Sequence, residues 1–568
     1  MKRGSVFQPR PLWKVTGGKE KRPDPADSAL ITLSTIFVFF DLLSHALGKM
    51  VKCLGSGVRD GVMKEERGSA AKRGRGGDEV PELFKKAVHA LQGIVMRSYG
   101  KGISQMGKTE YQHKVRLKKG QVIEVPIRRI GINGEGIGYH QQQVVFIDGA
   151  IPGEIVSARV TQVKPSFVRA KLIKWKKKSA YRVEPRCPVY HQCGGCQLQH
   201  IDRRMQRRLK RELLEEAFVK YTRLSTIPIE PTITMDDPWF YRNKAQLPVS
   251  MIAGKVVMGM YSASSRRLVD VSDCLVQHPL INKTLQTARD ISEKLGISIY
   301  DEKKHEGVLR HLVARISFAT GEIQLVLVTR TKTFPQEQAF VAEMCKQAPQ
   351  VKSIILNHNP NRTSLVLGEK NRLLWGKEKL EERIGDLVFL LSPRAFFQLN
   401  PLQTEKLYDE VAKVAHLTGT ETVVDAYCGV GTIGLWLAAK AKRVIGVEVI
   451  PDAVADAKEN AKRNGIENAE FYTGQAEALL PVWAGEGLRP DVVVVDPPRT
   501  GLHDALIDTL LNLKVPRIVY VSCNPATLAK DCDRLLRGGY SLKKVVPLDM
   551  FPQTAHVESV TLMTREDQ

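Results

Sequence analysis

Glu421-Thr-Val-Val-Asp425 runs directly into Ala426-Tyr427-Cys428-Gly429-Val430-Gly431-Thr432-Ile433-Gly434. A short apolar strand meeting a glycine-rich turn that opens a helix brings backbone close to a ligand. The glycines permit the tight turn and leave no side chain in the way. A second strand, Arg443-Val-Ile-Gly-Val447, ends at Glu448, and an acid at that strand tip suits a ribose diol. From about residue 385 onward strands and helices alternate, which predicts an α/β, Rossmann-like domain over residues 380–568. The spacing Gly429-x-Gly431-x-x-Gly434, with an acid downstream, fits a nicotinamide dinucleotide and S-adenosylmethionine equally well.

Two later strands narrow the choice. Asp491-Val-Val-Val-Val495 meets Asp496-Pro497-Pro498-Arg499, where prolines stiffen the loop. Ile518-Val-Tyr-Val521 runs into Ser522-Cys523-Asn524-Pro525, and His556-Val557-Glu558 then precedes a strand-like run, Val560-Thr-Leu-Met563. An isolated free cysteine is more often a small hydrophobe than a nucleophile. A thiol at a strand end with a carboxylate at a strand entrance nevertheless suggests covalent chemistry with a proton removed. Hydride transfer has no evident need for the Asp496–Arg499 loop or for the cysteine beyond it.

The N-terminal half has a different texture. Val122–Val125, Gly134-Glu-Gly-Ile-Gly138, Val144–Gly149 and Ile155–Val160 are short alternating runs with glycine turns, closed by Lys171, Lys174, Lys176, Lys177 and Lys178. Strands at this spacing read as a small OB-like β-barrel over residues 113–175. Next come Cys187-x5-Cys193-Gly-Gly-Cys196 and, later, Cys274, within a central α+β domain over residues 180–375. Four such cysteines can complete a zinc site or an iron–sulfur site. Residues 202–223 form an Arg-rich amphipathic helix with Leu209, Leu213, Leu214, Ala217 and Phe218 on its apolar face; it can pack on the C-terminal domain, and its charged face is expected in solvent.

Charge is distributed unevenly. Residues 111–224 hold 24 basic and 9 acidic side chains, whereas residues 225–568 hold 41 of each. Net charge of this size on a folded segment points to a nucleic-acid surface. Nine irregularly spaced cysteines argue for a reducing compartment, the cytoplasm, rather than a disulfide framework. Residues 1–110, with tracts such as Ala71-Lys-Arg-Gly-Arg-Gly-Gly77, are expected to be disordered or an over-extended reading frame ending near Met106. Their apolar run, Ala29 to Phe40, is too short to span a bilayer.

Asp496-Pro-Pro-Arg, Ser522-Cys-Asn-Pro and His556-Val-Glu, in that order, resemble the RNA uracil-C5 methyltransferase family. The barrel, through Gly134-Glu-Gly-Ile-Gly138 and Ala150-Ile-Pro-Gly-Glu154, resembles a TRAM domain. The resemblance covers roughly residues 113–568. It implies methylation of uracil C5 in RNA by S-adenosylmethionine, with Cys523 as nucleophile and Glu558 as general base. It also implies donor contacts from Gln398, Tyr427, Glu448 and Asp496; some members carry Phe where Tyr427 stands. Cys187, Cys193, Cys196 and Cys274 resemble the [4Fe–4S] ligands of the 23S ribosomal RNA branch, which makes the cluster the preferred occupant over zinc and 23S rRNA the preferred substrate. The alternatives are the T-loop uridine of tRNA and, from another class, a non-catalytic iron–sulfur RNA-binding protein. Neither a membrane nor an obligate protein partner is implied. An unperturbed thiol is only about 3% ionised at pH 7, so the site must favour the thiolate or deprotonate it on attack. Asn357-His-Asn-Pro360 is expected to be a solvated loop and His311 a hydrogen-bonded core or surface histidine.

Overall fold

The computed structural model describes residues 117–263 and 265–566; the expectations for residues 1–110, including Cys53, lie outside them. Five strands come first: β1 Val122–Ile130, β2 Gly136–His140, β3 Gln143–Ile147, β4 Ile155–Val163 and β5 Val168–Lys177. They close into a barrel in the order β1-β2-β3-β5-β4. Alternation puts Ile123, Val125 and Ile127 inside while Val122, Glu124 and Arg128 face out. Gly138 is required by close approach, because a Cβ there would lie 2.3 Å from the carbonyl oxygen of Pro126. Glu154 is buried and accepts hydrogen bonds from Ile151 N (3.0 Å) and Trp175 Nε1 (3.2 Å), with the Arg182 guanidinium paired to it.

Helix α1, Arg203–Tyr221, follows, capped by Asp202. Its apolar face is buried as expected, but the polar side is not all in solvent: Lys210 is fully buried and paired with Asp549, and Gln206 is buried beside it. The ion pair crosses from α1 to the C-terminal domain, against which the helix packs. Ile130 and Ile151 of the barrel share one apolar cluster with Leu198, Leu209, Leu213 and Ala555.

The central sheet comprises β6 Lys244–Ile252, β7 Lys255–Tyr261, β8 Leu268–Asp270, β9 Leu309–Ile316, β10 Ile323–Thr329, β11 Val351–His358 and β12 Lys370–Gly376. Helices α2, Pro279–Lys294, and α3, Glu337–Gln347, bury their apolar sides in its core. Asn357 and Asn359, expected in a solvated loop, are buried. Asn357 Nδ2 donates to Gly368 O (3.0 Å), Asn359 Nδ2 donates to Leu365 O (2.9 Å), and Arg310 donates to Asn361 O (2.7 Å). The polar side chains are enclosed because they satisfy the backbone of the 359–370 loop. His311, on β9, is largely enclosed, and its Nδ1 has no hydrogen-bond partner among the described residues; burial moves its pKa down to about 4.

A hairpin, β13 Leu380–Ile384 and β14 Leu387–Leu391, leads into helix α4, Pro401–Ala415. The C-terminal sheet then alternates with helices: β15 Thr422–Ala426, α5 Thr432–Ala438, β16 Arg443–Glu448, α6 Pro451–Arg463, β17 Ala469–Thr473, α7 Ala476–Gly485, β18 Val492–Val495, α8 Asp504–Leu513, β19 Arg517–Ser522, α9 Pro525–Arg537, β20 Tyr540–Leu548 and β21 Glu558–Arg565. The order is β17-β16-β15-β18-β19-β21-β20. All four valines of β18 are buried because helices cover both faces. β21 alone runs antiparallel to its neighbours. The architecture is the expected α/β one: a Rossmann-like sheet preceded by an α+β domain and a barrel.

Candidate active site

Because β15, β16, β18 and β19 are parallel, their carboxyl ends share one edge, where open α/β sheets bind ligands. Tyr427, Glu448, Asp496 and Cys523 therefore meet there. β21 enters at the same edge with Glu558 as its first residue. Its last pairing with β19 is Ser522 with Ser559, and Ser559 Oγ donates to Ser522 O at 3.3 Å. Cys523 follows Ser522 and Glu558 precedes Ser559, and the two side chains lie in electrostatic reach of each other. Asn524 caps α9 and donates its Nδ2 to Arg499 O at 2.9 Å, docking the Asp496–Arg499 loop on the cysteine turn.

The charges at this edge are crowded. Burial first, then Glu558 and Asp496, push the Cys523 thiol up to about 11, with Arg499 opposing. Glu558 is 5% exposed; burial and then Asp496 hold its carboxyl well above the ordinary range, again against Arg499. Burial raises Asp496 to about 7. Asp425 is raised to about 8, mainly by burial, with Asp496 and Glu448 adding to it. Asp425 Oδ2 accepts from Gly434 N at 2.8 Å, while its buried Oδ1 has no partner among the described residues. Where ionised, acids so placed favour a cation such as a sulfonium.

The loop itself is built for close approach. Gly431 begins α5 at φ +83°, and Tyr427 takes φ +70°, a left-handed conformation that is strained for a non-glycine residue and recurs at ligand sites. Glu448 accepts from Gly429 N (3.2 Å) and Ile450 N (3.0 Å), which fixes its carboxylate against the loop. Gln398 is buried between β14 and α4. Its carbonyl accepts from Asn243 Nδ2 at 3.1 Å, and its side-chain amide makes no hydrogen bond among the described residues. Phe396, two residues earlier, is 68% exposed.

Cys187, Cys193 and Cys196 lie between β5 and α1, and Cys274 lies between β8 and α2; all are free thiols. Cys196 and Cys274 pack on the apolar cluster of Met235, Tyr241 and Val276, together with Phe551. Gly195 N donates to Cys193 Sγ at 3.3 Å. Burial raises Cys196 to about 12, and Cys274, Cys193 and Cys187 add to that rise, so the four sulfurs feel one another. Among the described residues no three Cys, His, Asp or Glu side chains close around a point that would hold a single metal ion.

Sequence reasoning passed over three charged residues that shape these sites. Arg499 stood inside a quoted motif, yet its closeness to Cys523 and Glu558 comes from the packing of two loops. Asp425 reads as a strand terminus, and its burial depends on the sheet covering it. Lys210 reads as part of a solvated face.

Residues 210–566 match the model of the tRNA (uracil-5-)-methyltransferase family, and residues 116–173 match the TRAM domain. A Halalkalibacterium halodurans protein named an uncharacterized RNA methyltransferase is 52% identical over 452 residues, 79% of this chain and 98% of its own. A Bacillus anthracis protein of the same description is 51% identical over 454 residues, 80% of this chain and 99% of its own. Among solved structures, the Pyrococcus abyssi tRNA (uracil-54, C5)-methyltransferase in complex with S-adenosyl-L-homocysteine is similar at a TM-score of 0.62 and 27% identity, covering 78% of this chain and 100% of that one. The chain, with its crowded acidic edge and TRAM barrel, therefore belongs to the S-adenosylmethionine-dependent tRNA (uracil-5-)-methyltransferase family of RNA-modifying enzymes.

Proposed function

We propose that this enzyme converts a uridine of 23S rRNA to 5-methyluridine through a covalent adduct between Cys523 and C6, which Glu558 resolves. The nearness of Cys523, just past the end of β19, to Glu558, the first residue of β21, with Asp496 also in electrostatic reach, carries the mechanism. Uracil C5 is too weak a nucleophile to attack a sulfonium methyl unaided. The Cys523 thiol gives its proton to solvent as its sulfur bonds to C6, sending the C5–C6 π electrons towards O4 as an enolate. S-adenosylmethionine supplies the methyl cation that C5 takes up, leaving as S-adenosylhomocysteine. The Glu558 carboxylate then removes the C5 proton, the C5–C6 double bond re-forms, and the C6–S bond breaks to return the Cys523 thiolate. Burial makes Glu558 a stronger base once ionised than a surface carboxylate. A thiol raised to about 11 is almost wholly protonated in the free enzyme, so deprotonation accompanies attack, with Arg499 the cation that favours the anion.

Gln398, Tyr427, Glu448 and Asp496 hold the donor in this reading, Glu448 at the strand tip suited to the ribose and Asp496 beside the reacting groups. Cys187, Cys193, Cys196 and Cys274 are the residues that would hold a [4Fe–4S] cluster. Four free thiols in mutual electrostatic reach support that occupant. Ligation by all four would tie the 187–196 segment to Cys274. Exposed Lys171, Lys174 and Lys176 on β5 contact RNA phosphates, while the pocket reads a base that has left its stack. Free thiols suit the cytoplasm.

The second reading is the T-loop uridine of tRNA, favoured by similarity to the archaeal tRNA enzyme over that enzyme's whole length. Incubating unmodified total RNA with methyl-labelled donor and mapping the 5-methyluridine decides between them. Label in 23S rRNA is expected; label confined to tRNA selects the second reading, and label absent from uridine C5 overturns both.

A further inference from the structure

The loop from Asp549 to Val557 delivers Glu558 to β21 and is held by partners from other elements. Gln403 Nε2 donates to Asp549 O (3.1 Å), Asn400 Nδ2 to Met550 O (3.0 Å), and Tyr241 Oη to Pro552 O (3.0 Å). The half nearest Glu558 is held from the cysteine segment. Gln553 is buried at φ +70°, a conformation kept only where surroundings enforce it. Its carbonyl accepts from both Gln197 N (3.1 Å) and Leu198 N (2.9 Å). The Gln197 side chain spans two loops: its Oε1 accepts from Ala555 N at 3.4 Å, and its Nε2 donates at 2.9 Å to the carbonyl of Gly194, between Cys193 and Cys196. Gln206, on α1, closes the arrangement, donating from Nε2 to Gln553 Oε1 (3.1 Å) and accepting from Gln553 N (3.3 Å).

We propose that Gln197 is a positioning residue for Glu558, tying the Cys193–Cys196 turn to the loop that carries the carboxylate. The state of the four-cysteine centre is then felt as the rate at which the RNA adduct is resolved. This rests on the reading of Glu558 as the base of a covalent mechanism. A base must be held within a fraction of an ångström to take a proton from carbon, and Ala555 is three residues from Glu558. Lost hydrogen bonds at Gln197 leave donor and thiol in place and loosen the carboxylate.

The test uses the full chain, RNA substrate and labelled donor. Gln197→Ala, and Gln206→Ala as a second variant acting from the other side, are compared with wild type by rapid quench, denaturing gels and hydrogen exchange. Donor affinity and the rate of adduct formation should stay unchanged. Adduct resolution should slow about fivefold, as loss of a net hydrogen bond predicts, so that methylated adduct accumulates while exchange in residues 549–558 accelerates. Cys274→Ala, which leaves Gln197 intact, should accelerate exchange in the same residues. Wild-type resolution with unchanged exchange, or equal slowing of adduct formation and resolution, overturns the positioning role; unchanged exchange in Cys274→Ala overturns the link to the cysteines. Glu558→Gln, run in parallel, separates the two ideas. Adduct in that variant without adduct in Gln197→Ala removes only the positioning role, and none in either removes the base on which it rests.

Discussion

Donor binding should be coupled to ionisation of Asp496. With its pKa raised to about 7 by burial, the group is about 90% ionised at pH 8 and about 9% ionised at pH 6. A cationic donor binds the ionised form better, so affinity rises with pH through 7, and the Asp496 contribution changes about tenfold between pH 6 and 8. The donor's own α-amino group titrates in the same range, but identically for wild type and for Asp496→Asn. The ratio of their donor dissociation constants, measured by calorimetry at half-unit steps, therefore isolates Asp496. It should grow about tenfold from pH 6 to pH 8, with proton release in the wild type that the variant lacks. A ratio flat across that range would refute the reasoning, because it would mean either that Asp496 is already ionised at pH 6 or that it does not face the donor's charge.

Cys523→Ala should abolish both turnover and the covalent RNA adduct while leaving donor affinity intact; methylation near the wild-type level in a radiolabel assay would remove the adduct mechanism. Asp425, raised from an ordinary 3.8 to about 8, keeps its proton in the fold longer than in the unfolded chain. Its stabilising contribution is full below about pH 4 and lost as pH climbs to about 8, at up to about 1.4 kcal/mol per unit. The donor-free enzyme should thus melt lower at pH 8 than at pH 6, and Asp425→Asn should flatten that slope in differential scanning calorimetry. Deleting residues 113–175 to test RNA binding would uncover the cluster that Ile130 and Ile151 share with α1. Lys171→Glu with Lys174→Glu is cleaner. RNA affinity should fall and its logarithmic salt dependence should flatten by about 0.7 per lost phosphate contact on single-stranded RNA, with donor affinity unchanged in filter-binding and calorimetric titrations.

Much of the C-terminal domain is legible locally. Glu421–Gly434 declares a strand, a tight turn and a helix because apolar periodicity and glycine conformation are properties of neighbouring residues. The barrel strands are legible for the same reason, since alternation in β1 already states which side chains face inward. Asn357 and Asn359 were misplaced because composition alone makes Asn-His-Asn-Pro a surface turn. Their carbonyl partners at Leu365 and Gly368 lie up to eleven residues away, and such distance hides a buried hydrogen-bonding role. Lys210 misleads similarly: it occupies a charged helix face by pattern, and Asp549, which makes its burial tolerable, lies 339 residues on.

The amino-acid sequence by itself determined which residue types were present for the chemistry: a thiol at a strand end, acids at three strand tips, four cysteines and a basic barrel. Only the tertiary structure decided how they meet. The antiparallel insertion of β21 between β19 and β20 brings Glu558 into reach of Cys523, and parallel strands collect Asp425, Glu448 and Asp496 at one edge. Burial there raises the pKa values of Asp425, Asp496, Glu558 and Cys523 together, because desolvation and mutual repulsion both act through space. Those two effects depend on distance and on enclosure, neither of which is encoded in the spacing of residues along the chain.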